Sequence, residues 1–152
     1  MIRIVPYRGF DDITFDLSLD EVKGVLRSKH LRFQIEHWPN KDCDPDVAWD
    51  VVRIGQEISL YFAKNRMFKM VFEQGFPGKL DSGITLGMPI REARGLDDTL
   101  AFDEWDEVYL SAHGYWLEDD AESGEILTIT IFIHEVEDDD VFYRYDWCTH
   151  PD

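Results

Sequence analysis

The chain has 152 residues, of which 44% are apolar and 14% aromatic, and it carries a formal net charge of −17. That length allows one domain or two small ones, and the aromatic content excludes an acidic disordered tail, a class poor in aromatics. No stretch of ~18 apolar residues offers a membrane span, Met1–Pro6 opens no leader pattern, and the acidity opposes nucleic-acid binding, so a cytoplasmic, folded protein is expected.

The charge divides the chain. Residues 1–79 hold twelve Lys/Arg and twelve Asp/Glu, whereas residues 80–152 hold three basic and twenty acidic side chains. A neutral unit (1–79) followed by a strongly acidic one (80–152) makes a directional field that steers a cationic partner. Neither unit is large enough to bury a core of its own, so one compact body is expected.

In chain order, the first predicted element is a short extended segment, Ile13 to Phe15, leading into a helix from Ser18 to Arg27. Ser18 and Glu21 have capping-box spacing, and Val22, Val25 and Leu26 form one apolar stripe. The basic residues Arg27, Lys29, Arg32 and Lys41 that follow read as a solvated face. Strands are predicted at 50–54, 58–62 and 66–72, with Ala63-Lys64-Asn65 as a tight connection. The segment from Gly75 to Gly83 reads as the joint between units.

The second unit repeats this plan. Ile13–Lys23 lines up without gaps on Ile84–Arg94, Asp50–Ile54 parallels Glu107–Leu110, Ile58–Phe62 parallels Tyr115–Glu118, and Arg66–Phe72 parallels Ile126–Phe132. Four matches in the same order point to duplication. Pro89 suits a first helical turn, and Gly95 is placed to stop that helix. Leu127–Ile133 has aliphatic residues at every odd position, the mark of a strand with one buried face. Residues 141–147 read as a last aromatic strand. The fold class expected is α+β: two tandem helix-plus-three/four-strand repeats forming antiparallel sheet, because the connections are hairpin-length.

This layout, headed by Ile84-Thr85-Leu86-Gly87-Met88-Pro89-Ile90-Arg91-Glu92-Ala93 and covering about residues 11–147, resembles two groups. One is the beta-lactamase-inhibitor-like architecture, in which two such repeats form a concave sheet. The other is the small acidic immunity proteins that protect bacteria from their own secreted toxins. The resemblance implies a binding protein rather than an enzyme, and it assigns no functional residue.

Three acidic clusters are candidates for the contact surface. The first runs from Asp97-Asp98 to Asp103, Glu104, Trp105, Asp106 and Glu107 in the helix-to-strand loop. The second, Glu118, Asp119, Asp120, Glu122 and Glu125, falls in a hairpin loop. The third, Glu135, Glu137, Asp138, Asp139 and Asp140, lies at the far end of the strand between them. Trp105, Tyr109 and Trp116 are the candidate apolar anchors, since aromatics dominate interface hot spots. The bland reading is solvated loops with aromatics turned to the core.

Chemistry has less support. Asp119–Gly124 resembles the start of a calcium loop, but Ala121 holds a ligand position and Thr130 stands where a bidentate Glu belongs. No metal site or cofactor is assigned. His134-Glu135 has no second histidine four residues after the first, Cys43 lies between two aspartates that raise a thiol pKa, and Cys148 and His150 sit near a terminus. The reading is therefore a protein-binding inhibitor, most simply an immunity protein occluding a basic, nuclease-like toxin domain. The alternatives are a metal-assisted enzyme using clustered carboxylates or a general protein-interaction domain.

Overall fold

In a computed structural model the described residues are 2–39 and 47–148. They form an α+β structure dominated by antiparallel sheet. A small sheet comprises β1 (Arg3–Val5), β2 (Gly9–Phe10), β3 (Ile13–Thr14) and β8 (Lys79–Leu80), in the order β3-β2-β1-β8. The main sheet has eight strands: β4 (Phe33–Trp38), β5 (Trp49–Ile54), β6 (Ile58–Ala63), β7 (Arg66–Glu73), β9 (Ala101–Asp103), β10 (Val108–Leu110), β11 (Tyr115–Asp119) and β12 (Ile126–Phe132). Their order is β4-β5-β6-β7-β12-β11-β10-β9. Each half of the chain thus supplies a four-strand meander, and the two meanders join where β7 pairs antiparallel with β12. The segment read as a mere joint contains β8, which runs parallel to β1.

A helix precedes each meander. In α1 (Leu19–Ser28) the Ser18 hydroxyl accepts from the Glu21 amide and the Glu21 carboxylate accepts from the Ser18 amide, satisfying two orphan donors. Val22 and Leu26, four apart, are its buried stripe. In α2 (Ile90–Leu96) Pro89 is the N-cap itself, and Gly95 lies inside the helix rather than ending it. The closing residue is Asp97, whose side chain is engaged elsewhere.

Alternation along the strands decides what each face of the main sheet does. One row runs through Phe33, Ile54, Ile58, Phe72, Ile129, Leu117, Tyr109 and Phe102, across all eight strands. This face carries the core. Phe10 of the small sheet meets Phe72 edge-on at 5.2 Å, and Arg94 of α2 lies 5.7 Å from the Tyr109 ring. The row on the other face runs through Gln34, Arg53, Ser59, Val71, Thr130, Trp116, Leu110 and Ala101. Long side chains cover much of it: Arg53 donates to Ser59, Lys69 Nζ lies 4.3 Å from the Tyr61 ring centre, and Trp116 packs on Phe132. This explains a departure from simple alternation in β12. Ile129 and Ile131 are buried as expected, but Thr130 and Phe132 on the opposite face are buried too, and Leu127 is only half-buried.

The aromatic C-terminal stretch is not a strand. A 3-10 turn (His134–Glu137) leads into α3 (Asp139–Phe142) and a second 3-10 turn (Asp146–Cys148). Asp138 caps α3 by accepting from the Asp140 amide, and acidic residues in a first helical turn oppose its dipole favourably. Phe142 and Trp147 stack at 5.4 Å and both pack on Phe68, while Trp49 donates to the Tyr145 hydroxyl. Burial of these rings outweighs the strand propensity of an aromatic run. Cys148 is a buried free thiol, its pKa raised chiefly by burial; Cys43, Lys41 and His150 lie outside the described residues. No helix among the described residues is long and apolar enough to cross a membrane.

Candidate functional site

Strand direction sorts the acidic clusters. β10 runs antiparallel to β11 with Tyr109 opposite Leu117, so the start of β10 lies beside the end of β11. The β9–β10 turn (Asp103 to Glu107) and the β11–β12 turn (Asp119 to Glu125) therefore share one end of the sheet. Asp138, Asp139 and Asp140 follow the end of β12 and lie at the opposite end, as does Asp97. The first cluster is thus split: Asp97 and Asp98 belong to the loop after α2, whereas Asp103–Glu107 form a hairpin tip.

The tip is built by its own side chains. Asp103 Oδ1 accepts from the Trp105 amide at 3.0 Å, a local turn that stands in for backbone pairing. Glu107 closes it at φ +54°, a left-handed conformation that costs a non-glycine residue about 1 kcal/mol. The turn leaves Trp105 95% exposed, the most exposed of the large hydrophobic side chains among the described residues. Glu104, Asp106 and Glu107 around it are exposed as well. Behind the tip, Phe102 is half-exposed and rests against Tyr109 at 5.0 Å. Among the described residues, no carboxylate of either turn lies within ion-pair distance of a basic side chain. Within the neutral half Lys29 pairs with Asp11 and Asp12 and Arg53 with Glu36, while Arg3 pairs with Asp81 of the acidic half.

The second turn is more closed. Asp120 Oδ1 accepts from the amides of Glu122 and Ser123 at 2.8 and 3.3 Å, so the carboxylate holds the hairpin. Among the described residues, no three metal-ligating side chains converge there or elsewhere. Trp116 is not beside the tip. It lies within β11 opposite Thr130, half-buried on the face opposite the Leu117–Tyr109 row.

Sequence reasoning placed Asp97 in the first acidic cluster and missed its burial. It is a buried carboxylate that accepts from Ser111 Oγ (2.5 Å), Thr99 Oγ1 (2.6 Å), the Thr99 amide (3.0 Å) and the Tyr115 hydroxyl. Burial raises its pKa, but these donors outweigh burial and hold it at about 2. Thr99 is two residues on, but Ser111 and Tyr115 lie fourteen and eighteen residues away, beyond any local motif. It borders a cavity of about 420 Å³ also lined by Tyr7, Leu96 and His113, but with four donors it acts as a knot tying the α2–β9 loop to β11. A larger cleft of about 740 Å³ at the N-terminus of α1 is lined by polar and apolar side chains alike. Several of its groups are engaged: Ser18 and Glu21 in the cap, Asn65 on the Leu19 amide, and Arg66 on the Trp147 carbonyl. At the acidic tip, by contrast, no carboxylate meets a basic side chain among the described residues. No family model, curated protein or solved structure matches the chain.

Proposed function

We propose that this is a cytoplasmic protein-binding inhibitor, an immunity protein that occludes a basic toxin domain, with the β9–β10 hairpin as the leading contact. The observation that carries the reading is Trp105: an indole left 95% exposed on a self-braced turn. An exposed ring surrounded by unpaired carboxylates matches a cationic, partly apolar target. The indole supplies the buried anchor and the carboxylates steer encounter. The β11–β12 turn beside it extends the acidic surface. The third cluster, at the other end, has its own role in capping α3.

We also infer that the two halves descend from one duplicated unit. Three paired features support this. Ser18 bridges Arg66 as Pro89 bridges Glu125. The Leu19 amide donates to the side-chain Oδ1 of Asn65 and the Ile90 amide to the backbone carbonyl of Gly124, so the two helix starts are tied to equivalent turn positions. Asn65 and Gly124 have φ of 69° and 72°. This equivalence pairs Arg66 with Glu125, one residue earlier than the sequence alignment. The shift keeps core-facing positions of β7 on core-facing positions of β12.

The test is capture of the partner from the source organism, then association kinetics at low and high salt with the protein and with Asp103, Glu104, Asp106 and Glu107 changed to amides. Slower association in both salt and variant supports the reading. An acidic partner, or association indifferent to salt, overturns it.

A further inference from the structure

The two edges of the main sheet are not alike. β9 has three residues and runs straight into the acidic turn, the short, charged kind of edge that resists further pairing. β4 has six residues and is matched to β5 at six successive positions without a register shift. It contains neither proline nor lysine. Its outer side receives no backbone hydrogen bond from any described residue. Ile35 on this strand is 41% exposed and Leu31 just before it 44%. The strand also presents no unpaired carboxylate, because Glu36 is bound by Arg53 and by the Trp38 indole, and His37 meets Asp50 at 2.9 Å.

We propose that β4 is where two copies of this chain pair, antiparallel about a two-fold axis, to make one continuous sixteen-stranded sheet. A long neutral edge that no described residue covers is the ordinary template for strand addition. The charge map selects a second copy as its occupant. Residues 1–79 carry no net charge, so joining β4 to β4 sets neutral half against neutral half. The acidic β9 edge lies seven strand spacings away, about 34 Å at ~4.8 Å per strand. That is several times the Debye length of about 8 Å, so the acidic edges of the pair do not repel across the axis. A two-fold makes one strand its own complement and brings the exposed Ile35 side chains of the two copies to neighbouring positions.

Sedimentation velocity over a wide concentration range, with hydrogen exchange of the Phe33–Trp38 amides, tests this. The expected result is a reversible rise from the 17.9 kDa monomer to twice that mass, with β4 amides gaining protection over the same range. Ile35→Lys, at an exposed position that tolerates polarity, should keep the circular dichroism of the monomer. It should move the association midpoint upward by roughly a hundredfold, since like charges would meet across the axis. A monomer at all concentrations overturns the proposal. So does association in which β4 amides exchange as a lone edge would, or an Ile35→Lys variant that associates like the parent.

Discussion

Trp105 and Asp97 lie eight positions apart and carry opposite burdens. Truncating Trp105 removes a side chain that touches almost nothing in its own molecule. Trp105→Ala should therefore leave unfolding free energy within about 0.5 kcal/mol of the parent while weakening the partner complex by about 2 kcal/mol or more, roughly thirtyfold in Kd. Denaturant titration and binding kinetics on one variant separate the two effects, and the loss should appear as faster dissociation. A variant that unfolded early would mean the indole serves the fold. Asp97 is the converse. Asp97→Asn would leave buried hydroxyls short of an acceptor and should cost roughly 2–4 kcal/mol. Its folded pKa, about 2, lies below the ordinary aspartate value of 3.8. The stability it contributes is thus fully present above about pH 4 and is lost as pH falls toward 2. Unfolding measured across that range should be steeper for the parent than for Asp97→Asn.

At the scale of elements, what was legible in the sequence was what local chemistry decides. Ser18 and Glu21 announce α1 because both bonds of the box close within one turn. Ser18→Ala should lower stability by about 1 kcal/mol, read as a shift in denaturant midpoint with unchanged m-value; a null effect would mean that the Asn65 bond to the Leu19 amide suffices to hold that end. Lys64-Asn65 and the β11–β12 turn were likewise readable. The C-terminal stretch was misread because its aromatics suit a strand by propensity. The competing signal was present in Asp138, a cap followed by two more acids, with Phe142 and Tyr145 at helical spacing. β9 was blurred into a loop, being three residues long and lacking a full period of alternation, whereas β10 was legible through the parallel of Glu107–Leu110 with Asp50–Ile54. Of the candidate site, the acidic tip was legible as composition. The exposure of Trp105 and the distance of Trp116 from it were not, since both depend on which strand lies beside which. The burial of Asp97 was out of reach for the same reason.

For the whole molecule, the question is whether a charge of −17 acts as one diffuse field or through one end. The strand that separates the second acidic turn from the third cluster, β12, has seven residues and spans about 23 Å at ~3.3 Å per residue. Against a Debye length of about 8 Å at physiological salt, the two ends act independently on a docking partner. The proposed mechanism therefore makes an asymmetric prediction from charge-matched variants. Replacing Asp103, Glu104, Asp106 and Glu107 by amides removes four charges at the tip, and should slow association about tenfold or more and flatten its salt dependence. Replacing Glu137, Asp138, Asp139 and Asp140 by amides removes the same charge at the opposite end. That change should leave the association rate within about twofold, though it can cost stability, because Asp138 caps α3 and Glu137 accepts from the Tyr7 hydroxyl. Equal slowing by the two variants would show that net charge alone governs encounter. The hairpin would then have no claim to be the contact, whatever the partner proved to be.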